Sequence, residues 1–275
     1  MNKKFKRNAA ISALLIAGLI CVDSRYNLKI TEHELAFDNL PAAFEGYTVV
    51  HLTDFHGDSF GRDNKILADK ILKLNPDIIA MTGDMADNMK NIDAFESLLQ
   101  ALEGIAPIYY VSGNHEWGGG CTGEMKALLE KYGGEYLSNE YKPIYREGEK
   151  IVLAGVEDPL GRADMIKPDE LIDNLRGEYP EDFTLLLGHR NYWVTEYPQL
   201  PVELILCGHA HGGIVRLPFI GGLFNVRHGL FADYEKGLYE AEHFVMSVSC
   251  GLGNSMPVPR FLNRPEIVSI KLSKS

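Results

Sequence analysis

Between residues 47 and 134 the chain alternates three times between a short, continuous apolar run and a longer run with apolar residues at helical spacing. YTVVHLTD (47–54) precedes DNKILADKILKLN (63–75). PDIIAMTGD (76–84) precedes DAFESLLQALEG (93–104), and APIYYVSGNH (106–115) precedes GEMKALLEKYGG (123–134). Strands without a polar face must be covered on both sides, and strand–helix alternation is the mark of βαβ units. The spacing therefore predicts an α/β fold.

The second half has a different rhythm. KPIYREGEKIVLAGV (142–156) reads as a hairpin turning at 147–149, and DELIDNL (169–175) as a short helix. FTLLLGH (183–189), VELILCGH (202–209), HFVMSVSCGLG (243–253) and EIVSIKL (266–272) read as further strands. LKITEHELAF (28–37) alternates as a half-exposed strand does. The whole reads as two packed mixed β-sheets flanked by helices, four layers in one domain spanning 27–275.

Lys3, Lys4, Lys6 and Arg7 precede an apolar run from Ala9 to Val22. That run is about 14 residues, against the roughly 20 that span a bilayer. No small-x-small cleavage site follows, and Ile20 stands where a lipoprotein cysteine needs a small neighbour. Residues 1–26 therefore read as an uncleaved single-pass anchor in the cell membrane, basic end cytoplasmic and domain extracytoplasmic. Phe5 and Tyr26 would flank its core. The alternatives are a cleaved signal peptide and a buried helix. A net charge of −11 argues against nucleic acid as a partner. Cys21, Cys121, Cys207 and Cys250 show no CxxC pair and no zinc-knuckle spacing.

Polar residues gather where strands end: Asp54 and His56, then Asp84, then Asn114 and His115, then His189, then His209 and His211. Sites in α/β sheets form at such carboxyl ends. Five of the 9 histidines lie there, whereas His33, His51, His228 and His243 are scattered. Taken singly, each Asp reads as an Asx turn, Asn114 as a left-handed turn residue and each His as a satisfied core or surface group. Together they form a mixed O/N donor set suited to Mn, Fe or Zn. So many donors exceed one tetrahedral ion and fit two close ions, the usual device for hydrolysing phosphate esters.

In this order DFH, GD, GNHE, GH and GHAH resemble the calcineurin-like metallophosphoesterase superfamily, over about residues 47 to 272. The tail, GHAHGGIVRLP and SCGLGNSMPVPRFLNRPEIVSIKL, resembles its membrane-associated bacterial YkuE/YaeI-like branch. The resemblance implies the calcineurin-like fold and a dinuclear site. Asp54, His56 and His211 would hold one ion, Asn114, His189 and His209 the other, and Asp84 would bridge them. His115 would face the substrate as the catalytic group. The two histidines of HAH would reach different ions from an extended turn. The implied activity is phosphoester hydrolysis, of a mono- or diester, by a bridging hydroxide. The anchor points to a lipid-linked or envelope substrate, and no protein partner is expected. Alternatives are a UDP-2,3-diacylglucosamine-type pyrophosphate hydrolase and a non-catalytic metal-binding scaffold.

Two departures stand out. Arg190 follows His189 where relatives carry Asn-Pro, and reads as a substrate-phosphate contact or plain surface. Glu116 stands where Asp is commoner, a change expected to be tolerated. Trp117 reads as a pocket wall or as packing, and Gly118–Gly120 as a flexible loop. RLPFIGGLF (216–224) reads as ordinary packing or as a lipid-facing lip.

Overall fold

The computed structural model describes residues 3–162, 165–225, 229–230 and 233–275. His228 lies outside the described residues. The elements run α1 (Lys3–Tyr26), β1 (Lys29–Phe37), β2 (Thr48–Leu52), α2 (Lys65–Leu74), β3 (Ile78–Thr82), α3 (Ile92–Leu102) and β4 (Ile108–Val111). Next come α4 (Asn114–Gly119), α5 (Thr122–Lys131), β5 (Glu135–Tyr136), β6 (Glu140–Arg146), β7 (Glu149–Val156), α6 (Pro168–Glu178) and β8 (Thr184–Gly188). Then follow α7 (Trp193–Glu196), β9 (Leu204–Cys207), and two small antiparallel pairs, β10 (Arg216–Leu217) with β11 (Gly221–Gly222) and β12 (Phe224–Asn225) with β13 (Gly229–Leu230). β14 (Gly237–Glu240), β15 (Val245–Val248) and β16 (Glu266–Lys274) close the chain.

Two six-stranded sheets result, in the orders β1-β16-β2-β3-β4-β5 and β14-β15-β9-β8-β7-β6. Both are mixed: β16 runs antiparallel to β2, β7 to β6, and β14 to β15, while β2, β3 and β4 are parallel, as are β7, β8 and β9. The period-2 alternation of a strand assigns each side chain to one layer. Val49, Ile78, Ala80, Tyr109 and Val111 face Leu185, Leu187, Leu204 and Leu206 between the sheets. Val50, Leu52, Ile79, Met81 and Tyr110 turn outward under Leu67, Ile71, Phe95, Leu98 and Met125 of the helices. Leu186, Ile205 and Cys207 do the same beneath Leu171, Leu175 and Trp193. The four-layer α/β expectation holds. The four cysteines are free.

α1 is longer than its apolar run. Its 24 residues carry the basic flank and residues 23–26 in one helix, about 36 Å at 1.5 Å per residue. It is long and apolar enough to cross a bilayer, and none of its apolar window is buried. Its C-terminal end is tied to the domain: Ser24 is buried, Arg264 clasps Asp23 at 2.6 and 2.9 Å, and Arg25 reaches Asp58 at 3.4 Å.

Two expectations need correcting. Gly118 and Gly119 close helix α4 and do not form a flexible loop. A Cβ at Gly119 would overlap the Asp87 carbonyl, so glycine is there for close packing. Phe219 and Ile220 are exposed, which rules out packing for that tip of the 216–224 stretch.

Candidate metal centre

The carboxyl ends of β2, β3, β4, β8 and β9 converge on one edge of the two sheets, and backbone hydrogen bonds lace their loops together. Asp54 N donates to Gly83 O, His56 N to Asp84 O, and Gly57 N to Met85 O, at 2.9–3.0 Å. Gly208 N donates to His189 O at 2.9 Å. The loops fit only because of their glycines: a Cβ at Gly113 would overlap Asp84 Oδ1, and one at Gly208 would overlap Asp54 Oδ2.

Asp54, His56, Asp84, His209 and His211 all adopt positive φ, from 49° to 67°. Such backbone is uncommon outside glycine, and clusters of it mark functional sites. It also corrects the reading of HAH as an extended turn. Both histidines are left-handed, and His211 begins a short 3-10 turn.

Three groups of ligand-type atoms lie mutually within 4.8 Å: Asp54, His56 and His211; Asp84, His189 and His209; and His56, Asp84 and His115. His56 Nε2 and His211 Nε2 face each other at 3.2 Å, with His211 Nε2 3.4 Å from Asp54 Oδ1. His189 Nε2 lies 3.2 Å from both Asp84 Oδ2 and His209 Nδ1. Asp84 Oδ2 also stands 3.9 Å from His56 Nε2 and from His115 Nε2, between the two triads. Asn114 begins α4, and its buried Oδ1 has no hydrogen-bond partner.

The donor set fits divalent cations. Asp54 and Asp84 are buried, and their ion-pair partners among the described residues are histidines only. Buried carboxylates without a cation are costly. Burial raises the Asp54 carboxyl. Burial would raise Asp84 too, but His189 pulls it well below the carboxylate range. Burial would lower the His189 ring; the Asp84 charge overcomes this and lifts it to about 10. A dication reverses this protonation pattern, because it takes over the role of those ring protons. His189 Nδ1 donates to Thr82 O at 2.8 Å and His56 Nδ1 to Asp87 Oδ1 at 2.5 Å, leaving both Nε2 lone pairs aimed inward. The orphaned Asn114 oxygen is a further unspent donor atom. For His209, Arg190 Nη1 donates to Nε2 at 2.8 Å, so the ring proton sits on Nδ1. A metal on Nδ1 therefore requires that proton to shift and Arg190 to release the ring.

Two contributing residues, Asp87 and Arg260, were not singled out from the sequence, and Glu116, Arg190 and Trp117, which were, take more definite roles. Asp87 accepts from His56 Nδ1 and from His115 Nδ1, at 2.5 and 2.8 Å, and so fixes both rings. It stands three residues after Asp84 in one loop, a spacing visible in GDMAD. Glu116 accepts from the backbone N–H of Gly113, Asp84, Met85 and Ala86, at 2.8, 2.9, 2.6 and 3.3 Å, tying the β3 and β4 loops together. Burial, then the Asp84 charge, pushes its carboxyl up to about 7. Arg190 is no plain surface residue: it forks onto buried Asp158 at 2.5 and 3.0 Å. Trp117 Nε1 donates to Ser112 Oγ and Glu157 Oε2, at 2.7 and 3.0 Å. Arg260, from the tail, lies 3.4 Å from His211 Nδ1.

Comparison with known proteins adds four findings. Residues 47–213 match the family model described as calcineurin-like phosphoesterase. The chain is 31% identical to the uncharacterized metallophosphoesterase YkuE of Bacillus subtilis, over 90% of this chain and 86% of that one. It is 28% identical to the phosphodiesterase YaeI of Escherichia coli, over 89% and 88% respectively. It is 27% identical to a transmembrane protein with metallophosphoesterase domain of Danio rerio, spanning 96% of this chain but 63% of that one.

Proposed function

The chain belongs to the calcineurin-like phosphoesterase family and is a metal-dependent hydrolase of phosphoester bonds, and from that premise we propose a dinuclear centre acting on a lipid-linked phosphoester at a membrane surface. The observation that carries the dinuclear reading is Asp84 standing between two buried triads, Asp54/His56/His211 and Asp84/His189/His209. In it, Asp54, His56 and His211 would hold one ion, His189, His209 and Asn114 would hold the other, and Asp84 would be shared by both. Mn, Fe and Zn each suit these donors.

Two bound divalent ions supply Lewis acidity and an acidified water. The chain supplies the rest. Asp87 holds the His115 ring by Nδ1, so that Nε2 faces the centre beside Asp84. From there a protonated His115 gives its proton to the departing oxygen, help worth roughly 10²–10⁴-fold. Glu116 keeps the loops of Asp84 and Asn114 in register before substrate arrives. Residues 1–26 anchor the domain, with the basic end of α1 cytoplasmic. The YaeI relative, named a phosphodiesterase, supports a diester.

The test is to strip the full chain with chelator, restore Mn, Zn or Fe singly, and follow a chromogenic phosphodiester and a monoester. Metal-restored hydrolysis is the expected result. Hydrolysis of neither ester with any ion leaves a metal-binding scaffold and overturns the proposal.

A further inference from the structure

Beside the centre, and outside both triads, lies a cavity of about 220 Å³. Its outer wall is the end of α1, with Cys21, Val22 and Tyr26. Its inner wall comes from the tail, with Leu252, Asn254, Pro259 and Arg260, and the Arg25–Asp58 ion pair also lines it. The volume falls below the roughly 300–1,000 Å³ of a site that encloses a whole drug-sized ligand, so it suits part of a molecule.

Arg260 gives the cavity its chemistry. It is 3% exposed, with Nε donating to Gly253 O and Nη2 to Cys250 O, at 2.9 and 2.6 Å. Nη2 also approaches His211 Nδ1 at 3.4 Å. Nη1 is buried and has no hydrogen-bond partner among the described residues. One side chain therefore joins an apolar cavity to a ligand of the candidate centre.

Large apolar side chains are exposed close to the cavity: Val258 precedes Pro259 of its wall, Leu262 follows Arg260 by two residues, and Phe219 and Ile220 tip the 216–220 hairpin. Arg216, three residues before Phe219, lines a second cavity with Asp23 and Leu262, which brings the 216–220 hairpin to the end of α1. Clustered exposed apolar groups at the exit of an apolar helix mark a face that meets lipid.

We infer that this cavity is a subsite for an acyl chain of an amphiphilic phosphoester, entering from the bilayer along α1 with its phosphate directed past Arg260 toward the metal triads. The inference rests on the phosphoesterase reading for the reaction, but not for binding.

Cys21 makes binding measurable, since it is partly exposed while the other three cysteines are buried. The full chain in maltoside micelles is treated with a small maleimide, with and without dihexanoyl phosphatidylglycerol. Saturable protection of Cys21 is expected, and glycerol 3-phosphate, a head group without chains, should give none. Val22→Trp narrows the cavity. It should abolish the protection and lower kcat/KM for the lipid, relative to bis(4-nitrophenyl) phosphate, by about tenfold, roughly what two unburied methylenes are worth. Ile16→Trp, elsewhere on the exposed helix, should change neither. Equal labelling with and without lipid, or an unchanged ratio in Val22→Trp, overturns the subsite. Protection without metal-dependent hydrolysis of either ester would uphold the subsite and refute the phosphoesterase reading; hydrolysis without protection would do the reverse.

Discussion

Glu116→Gln is the substitution whose effect follows most directly from the structure. The carboxylate oxygens each serve two backbone donors: Oε1 those of Met85 and Ala86, Oε2 those of Asp84 and Gly113. A glutamine retains one such oxygen and turns an NH₂ toward the other two N–H groups. Two buried donors lose their partner, at about 1–3 kcal/mol each. The expected loss is about 3 kcal/mol, or a Tm lower by about 6–12 °C for a domain of this size. Metal-stripped full chain in detergent, melted with circular dichroism as readout, measures it. Glu124→Gln, exposed on α5, is the control and should stay within about 0.5 kcal/mol. Metal titration of the same variant should show weaker binding, because the loops of Asp84 and Asn114 are no longer tied. A Tm drop below about 2 °C with unchanged metal affinity would refute the bracing role.

His115→Ala should keep its metal by elemental analysis and lose roughly 10²–10⁴-fold in kcat; near-normal turnover would show the proton comes from elsewhere. His211→Ala and His209→Ala should each lower metal content by one ion, and Asp84→Asn should cost both; full content in Asp84→Asn would sink the bridging role. A pH prediction comes from Glu266, buried against Lys236 at 2.7 Å. Burial would raise its carboxyl, but Lys236 holds it below the usual value. A depressed folded value means stability present above the unfolded pKa near 4.5 and lost as pH falls toward the folded one. Glu266→Gln should flatten that acid limb and cost about 3–5 kcal/mol at neutral pH through the stranded lysine; an unchanged acid limb would place the pair's contribution elsewhere.

The strand-end clustering of five histidines and two aspartates was readable because each lies within a few residues of a continuous apolar run. Strand length and period are local properties, so the pattern alone puts Val49 and Val50 on opposite faces, while which of them lies between the sheets is set by tertiary packing. The short spacing from Asp84 to Asp87 lies in the sequence too, though nothing local says that Asp87 turns to two histidines from other loops. Glu116 was legible as a residue and not as a brace, because three of its four backbone partners lie 30–32 residues upstream.

Long-range pairing accounts for the rest. β16, at the end of the chain, inserts between β1 and β2, parallel to one and antiparallel to the other, a register that tertiary packing sets. The left-handed backbone at His209 and His211 contradicts the extended geometry expected from HAH; it is held by packing against the Asp54 loop, where His209 N donates to both carboxylate oxygens at 3.0–3.2 Å. Arg260, in the tail that carries the branch resemblance but no ligand motif, reaches His211 from 49 residues away. The exposed Phe219 and the cavity under α1 likewise exist only once the tail and the helix end meet. Local periodicity prescribes elements and where their polar ends fall, since it depends on neighbours in the chain; which ends meet, and what cavity they leave, depends on contacts that carry no local signature.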